Sequence, residues 1–256
     1  MKGLIAFALL VGLSVATVLG LSQDIGSSKK SLNLDLPVNS GDPWETEEED
    51  EEAPAIIFFY GQQFEGDVFV FCVDRSGSMN DQGELARAKR EVIRNIRELS
   101  DETEFAVCFF DTGVLMWPPN ERPIIANSQN RAAACNWVAS VGVGDLSCPK
   151  EGLTRSLQSI NRSPKDRRCI IYVGDGGGTC YKRGWERQCP PEISANADAD
   201  FEQWYLDDTL VKVDQLNNKN VSINTVGVRL RSEFDINQNF VRILAQRNEG
   251  ISRRID

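Results

Sequence analysis

Asp74, Ser76 and Ser78 set one carboxylate and two hydroxyls at alternate positions of the stretch Asp74-Arg75-Ser76-Gly77-Ser78. Gly77 permits a tight turn, so the three oxygens can be aimed at one point. Hard oxygen donors of this kind suit a divalent cation better than a soft metal. A second carboxylate, Asp175, ends an apolar run in Val173-Gly174-Asp175-Gly176. Two carboxylates at the ends of neighbouring strands repel each other unless a cation lies between them. The chain contains no histidine. That removes the usual general base at neutral pH and the commonest ligand for zinc, copper and iron. Serine-histidine triads and cysteine-histidine pairs are excluded with it, so any metal is held by oxygen or thiolate. The glycines at 174, 176, 177 and 178 lack the Gly-Lys-Ser/Thr of a phosphate loop and read as a flexible rim. Asp111, just after Phe109-Phe110, caps a turn or supports the site from behind.

The elements that must position these groups are visible as apolar runs. Residues 68–73, 105–110 and 169–173 are apolar without polar alternation, which suits parallel strands buried on both faces. Between them, Leu85, Ala88, Val92, Ile96 and Leu99 recur at helical spacing, with Asp81 and Glu84 resembling a capping box. A second helix is expected over 130–138. Trp204, Leu206, Leu210, Val213 and Leu216 mark another, followed by a strand over 221–228. Phe240, Ile243 and Leu244 mark a last helix, stopped by Asn248-Glu249-Gly250 before a short strand at 251–255. Residues 113–125 fold back, with Pro118-Pro119-Asn120 at the turn between two short strands. The alternation predicts an α/β, doubly wound fold: a mostly parallel central sheet with one antiparallel edge strand and helices on both faces. In that architecture ligands bind where loops leave the C-terminal ends of the strands, and both Asp74 and Asp175 fall there.

At this point the chain resembles the von Willebrand factor type A family, whose metal-ion-dependent adhesion site begins with Asp-x-Ser-x-Ser, matched by Asp74, Ser76 and Ser78. The resemblance implies two further ligands: a threonine in a Gly-x-Thr loop, matched by Gly152-Leu153-Thr154, and an aspartate in an Asp-Gly pair, matched by Asp175-Gly176. Gly174 stands where the family usually has threonine, and Ser156 where an apolar residue is common. The likeness runs from about residue 66 to the C-terminus, including Val226-Gly227-Val228. It implies a magnesium site, with manganese or calcium as alternatives, and an open coordination position. By the same resemblance, an Asp or Glu side chain of a protein partner is expected to fill that position. The resulting expectation is a metal-dependent binding or scaffold module rather than an enzyme. Two rivals remain: a non-catalytic subunit recruiting a membrane-linked ATPase complex, and a magnesium-dependent phosphatase. Dehalogenase-type phosphatases carry a second aspartate two residues on from the first, where this chain has Ser76.

The net charge of −10 comes largely from Glu45, Glu47, Glu48, Glu49, Asp50, Glu51 and Glu52, and no basic stripe suggests nucleic acid. Residues 1–21 hold Met1 and Lys2 followed by an uncharged, mostly apolar stretch, read as a cleaved signal peptide or a retained membrane anchor. Residues 22–65 read as an acidic spacer of low complexity, although Ala55-Ile56-Ile57-Phe58-Phe59-Tyr60 marks the return of buriable surface. Residues 66–256 form the domain. The protein is thus expected to be exported, as a periplasmic, cell-surface or secreted chain, with contact to membrane only through an uncleaved N-terminal segment. Export allows disulfides among the loop cysteines. Cys180 is expected to pair with Cys189 and Cys135 with Cys148, leaving Cys72, Cys108 and Cys169 as buried thiols within strands.

Overall fold

The computed structural model describes residues 53–180, 198–229 and 236–255. The expected leader, most of the acidic spacer and Cys189 lie outside them. Among the described residues no helix is long and apolar enough to cross a membrane.

The folded part starts at Ala55, within the stretch assigned to the spacer. Strands β1 (Ala55–Phe59) and β2 (Gln62–Gly66) form an antiparallel hairpin. Ile57, Phe59 and Phe64 alternate into the core, whereas Ile56 and Phe58 point outward. The period of two was present in the sequence, but the neighbouring charge run masked it.

The main sheet is built on β3 (Val68–Asp74), flanked by β4 (Glu104–Phe110) and β7 (Arg168–Gly174), both parallel to it. Beyond β7 lie β8 (Ser222–Val228) and β9 (Ser252–Ile255), also parallel. On the other side β5 (Val114–Trp117) runs antiparallel to β4 and forms the expected edge, in the order β5-β4-β3-β7-β8-β9. The two-residue strand β6 (Ile124–Ile125) pairs antiparallel with the start of β4, not with β5. Residues 113–125 therefore fold back onto β4 rather than onto themselves.

Every residue of β3 is buried, because side chains alternate between two covered faces. Phe69, Phe71 and Val73 meet the cluster formed with α1 (Glu84–Glu98), α2 (Ser128–Ser140) and the hairpin. Val68, Val70 and Cys72 face α3 (Pro149–Ile160), α4 (Asp198–Leu216) and α5 (Ile236–Arg247). Trp137 on α2 packs against Phe109, and Trp204 packs against the second cluster.

Two local expectations are corrected. The capping box at Asp81 and Glu84 does not form: residues Gly77–Gly83 make a kinked 3-10 segment, and α1 begins after Gly83, which is left-handed at φ 77° and supplies no side-chain cap. Asp81 pairs with Arg229 instead. The stretch Gly152-Leu153-Thr154 is helical, not a loop. Pro149 occupies the first turn of α3, and Leu153, Leu157 and Ile160 are its buried face.

Candidate metal centre

The chain leaves β3 for β4 on one side and reaches β7 on the other, so the sheet order reverses at β3 and opens a crevice at its C-terminal end. The strands that end there deliver Asp74 from β3, Asp111 after β4, Asp175 after β7 and Arg229 after β8.

Asp74 shares the strand face of Cys72, directed toward the start of α3, and is fully buried. One carboxylate oxygen, Oδ1, accepts the Ser76 amide at 2.7 Å. The other, Oδ2, accepts the Ser147 hydroxyl at 2.7 Å. The Ser76 and Ser78 hydroxyls lie 3.2 Å apart, so the alternate spacing does bring them together. Asp175 is half-buried and accepts the Gly177 amide at 3.1 Å. Burial, and after it the charge of Asp175, push the Asp74 carboxyl up to about 7; the hydrogen bonds from Ser76 and Ser147 act the other way. The buried Tyr172 hydroxyl also feels Asp74 and Asp175 and makes no hydrogen bond among the described residues. A Cβ on Gly174 would sit 3.1 Å from the Asp74 Cβ and 3.0 Å from the Tyr172 hydroxyl oxygen, so glycine at this position lets the end of β7 pack close against both.

Thr154 is not part of this cluster. It lies on the second turn of α3, half-exposed, bordering a shallow cavity with Val114, Lys150, Arg155 and Lys212. The hydroxyl that reaches Asp74 comes from Ser147, just ahead of the helix. The sequence carried a signal for it: Pro149 at the first turn places the preceding loop, where a site residue belongs, at 145–148. Gly152 is explained by packing, since a Cβ there would lie 2.5 Å from the Phe110 ring.

Surrounding groups hold the crevice in shape. Arg75 points away from Asp74 and pairs with Asp111 at 2.8 Å, while also donating to the Gly142 carbonyl. Asp111 in turn accepts the Gly113 and Asp145 amides, so it both caps a turn and supports the site loop. Gly77 donates to Asp145 and Gly144 to Arg75, which fastens the 142–145 loop to the serine stretch. Arg229 donates to the Ser78 carbonyl at 2.6 Å.

The cysteine pairing differs from expectation. Cys148 is bonded to Cys180, with Cα atoms 5.0 Å apart. Cys135 is a buried free thiol on α2, close to the Ile93 carbonyl, and Cys72, Cys108 and Cys169 are buried thiols as expected. Burial pushes Cys169 up to about 12 and Cys72 well above the ordinary thiol value, so both stay protonated and inert.

No protein-family model matches the chain, and no curated protein does. Solved structures do match. A von Willebrand factor type A protein from Catenulispora acidiphila superposes with a TM-score of 0.56 at 20% identity, over 76% of this chain and 40% of that one. The pilus adhesin SpaC from Lactobacillus rhamnosus GG gives 0.56 at 14% identity, over 75% of this chain and 28% of that one. The von Willebrand factor domain of the type V pili tip protein Mfa5 from Porphyromonas gingivalis gives 0.55 at 11% identity, over 73% and 89%. The chain thus has the von Willebrand factor type A fold, and it spans less than half of the first two structures.

Proposed function

We propose that this protein is an exported binding module that holds a divalent cation and uses it to capture an acidic side chain of a protein partner. The observation that carries the reading is the buried Asp74 carboxylate at the strand-order reversal, held by Ser76 and Ser147, beside the Ser78 hydroxyl and under the field of Asp175. The donors fit a hard cation: two carboxylates and three hydroxyls, all oxygen, with the cost of the paired carboxylates left for a positive ion to offset. Asp74, Ser76, Ser78, Ser147 and Asp175 would hold it, directly or through water. Magnesium suits so small a set, with manganese and calcium as alternatives. When bound, the ion supplies a positive centre for an anionic oxygen. The serine hydroxyls bring no charge, and Asp111 is paired with Arg75, so no third carboxylate of the chain's own is free to add negative charge to that centre.

The pilus adhesin and pilus tip proteins of similar fold support a surface, protein-binding role for this chain. Against the phosphatase reading stands Asp74 itself, buried and hydrogen-bonded at both oxygens, a poor disposition for a nucleophile. The test is calorimetric titration of the chelator-treated protein with magnesium and manganese, repeated with Asp74→Ala. Saturable binding of one ion, lost in the variant while circular dichroism is unchanged, supports the reading; equal binding by both proteins overturns it.

A further inference from the structure

We infer that the Cys148–Cys180 disulfide and the hydrogen bonds beside it form a positioning brace that sets the affinity and the magnesium-over-calcium preference of the centre; the inference rests on the cation reading above.

The bridge spans 32 residues and joins the loop ahead of α3 to the loop after β7. Each loop carries one of the site's oxygen groups, Ser147 immediately before Cys148 and Asp175 five residues before Cys180. Beside the bridge the two loops exchange hydrogen bonds: the Thr179 amide donates to the Ser147 carbonyl at 3.0 Å, and the Ser147 amide donates to the Thr179 hydroxyl at 2.9 Å. Ser147 is thereby held at its backbone N–H, its carbonyl and, through Asp74, its hydroxyl. The segment between Asp175 and Thr179 is Gly176-Gly177-Gly178. It has no side chains with which to order itself, so it is held by its backbone, through the Gly177 amide on Asp175 and the Gly178 amide on Glu202, and by its two ends.

Both sulfurs are buried, Cys148 at 0% exposure and Cys180 at 5%. The Glu151 carboxylate lies within 4.8 Å of them. An attacking thiolate has neither access nor a favourable field here, so the bridge is a fixed brace rather than an exchangeable switch. A brace that orders ligand-bearing loops in advance removes part of the ordering cost from binding. Magnesium demands near-ideal octahedral geometry, whereas calcium accepts irregular shells, so loosening the brace penalises magnesium more.

The experiment titrates magnesium and calcium separately, by calorimetry, into the full chain and two variants, Cys148→Ala/Cys180→Ala and Thr179→Val. Amide hydrogen exchange at Ser147 and Thr179 is followed in chelator. The double variant should bind magnesium about tenfold more weakly or worse, as removal of an outer-sphere support commonly does, with a smaller loss for calcium. Thr179→Val, with the bridge intact, should lose a few-fold in the same sense, and both amides should exchange faster in each variant. Unchanged magnesium affinity in a folded variant overturns the brace. So does an equal loss for both cations that follows the fraction unfolded. Where the double variant fails to fold, Thr179→Val decides alone. A flat titration of the unaltered protein with both cations overturns the cation reading, and the brace with it, before any variant is made.

Discussion

At the scale of single residues, Asp74 combines burial with a like charge nearby, and this makes a pH signature. Its folded carboxyl, pushed up to about 7, binds a proton more tightly than in the unfolded chain, where the value is near 4. Its contribution is therefore fully present below about pH 4 and is lost as pH rises through about 7. In chelator the unfolding free energy should fall between about pH 4 and pH 7, with a slope of up to about 1.4 kcal/mol per pH unit from this one group. Asp74→Asn, which still offers an oxygen to the Ser76 amide, should flatten that slope; an unaltered slope would show that another group governs it. Cation affinity should rise over the same pH window, because the ion displaces the proton. The hydroxyls are separable too. Ser147→Ala should weaken magnesium binding, whereas Thr154→Ala, on the far side of the first turn of α3, should leave it within about twofold of the original, a change under about 0.5 kcal/mol. Titrations that reverse this order would restore Thr154 to the site.

At the scale of elements, what the sequence made legible were the buried strands and the helix faces. Runs such as 68–73 and the spacing of Leu85, Ala88, Val92 and Ile96 are one-dimensional records of burial on two faces or one. The positions of Asp74 and Asp175 at strand ends followed from those runs alone. What escaped were features set by tertiary contact. Gly152 read as part of a Gly-x-Thr loop, yet it lies within α3, where the residue is glycine because the Phe110 ring occupies the space of a side chain. The partner of Cys180 could not be read from loop spacing, since Cys148 lies 32 positions away and meets it only through the packing of α3 beside β7. Two measurements check these elements. Gly152→Ala should cost about 1–3 kcal/mol through overpacking against Phe110, despite the better helix propensity of alanine, as read by urea unfolding. Non-reducing peptide maps should recover Cys148 joined to Cys180, with Cys72, Cys108, Cys135 and Cys169 free; a Cys180–Cys189 peptide would contradict the fold around α3.

At the scale of the whole molecule, the sheet is a platform with Asp74, Asp111, Asp175 and Arg229 gathered at the C-terminal ends of β3, β4, β7 and β8, away from the buried strand interiors. On the proposed reading, hydroxyls and water bring no charge, so a hard divalent ion that one of the two carboxylates holds only through water gains most from an additional anionic oxygen at an open position. A carboxylate supplied by another protein makes the contact conditional on both molecules and on the ion. Among the described residues the rim offers such a guest Arg229, beside Ser78, and exposed Val143, on the loop fastened to the serine stretch. Capture of the partner should vanish with EDTA and return with magnesium or manganese. It should also be lost when one acidic residue of the partner becomes its amide, by 2 kcal/mol or more, about thirtyfold, because a desolvated ion is left unpaired. An amide scan of the partner's contact surface, read by calorimetry, tests this. If the chelator abolishes binding yet no single acidic residue is needed, the cation orders the loops of the crevice without touching the partner, and recognition belongs to the rim instead.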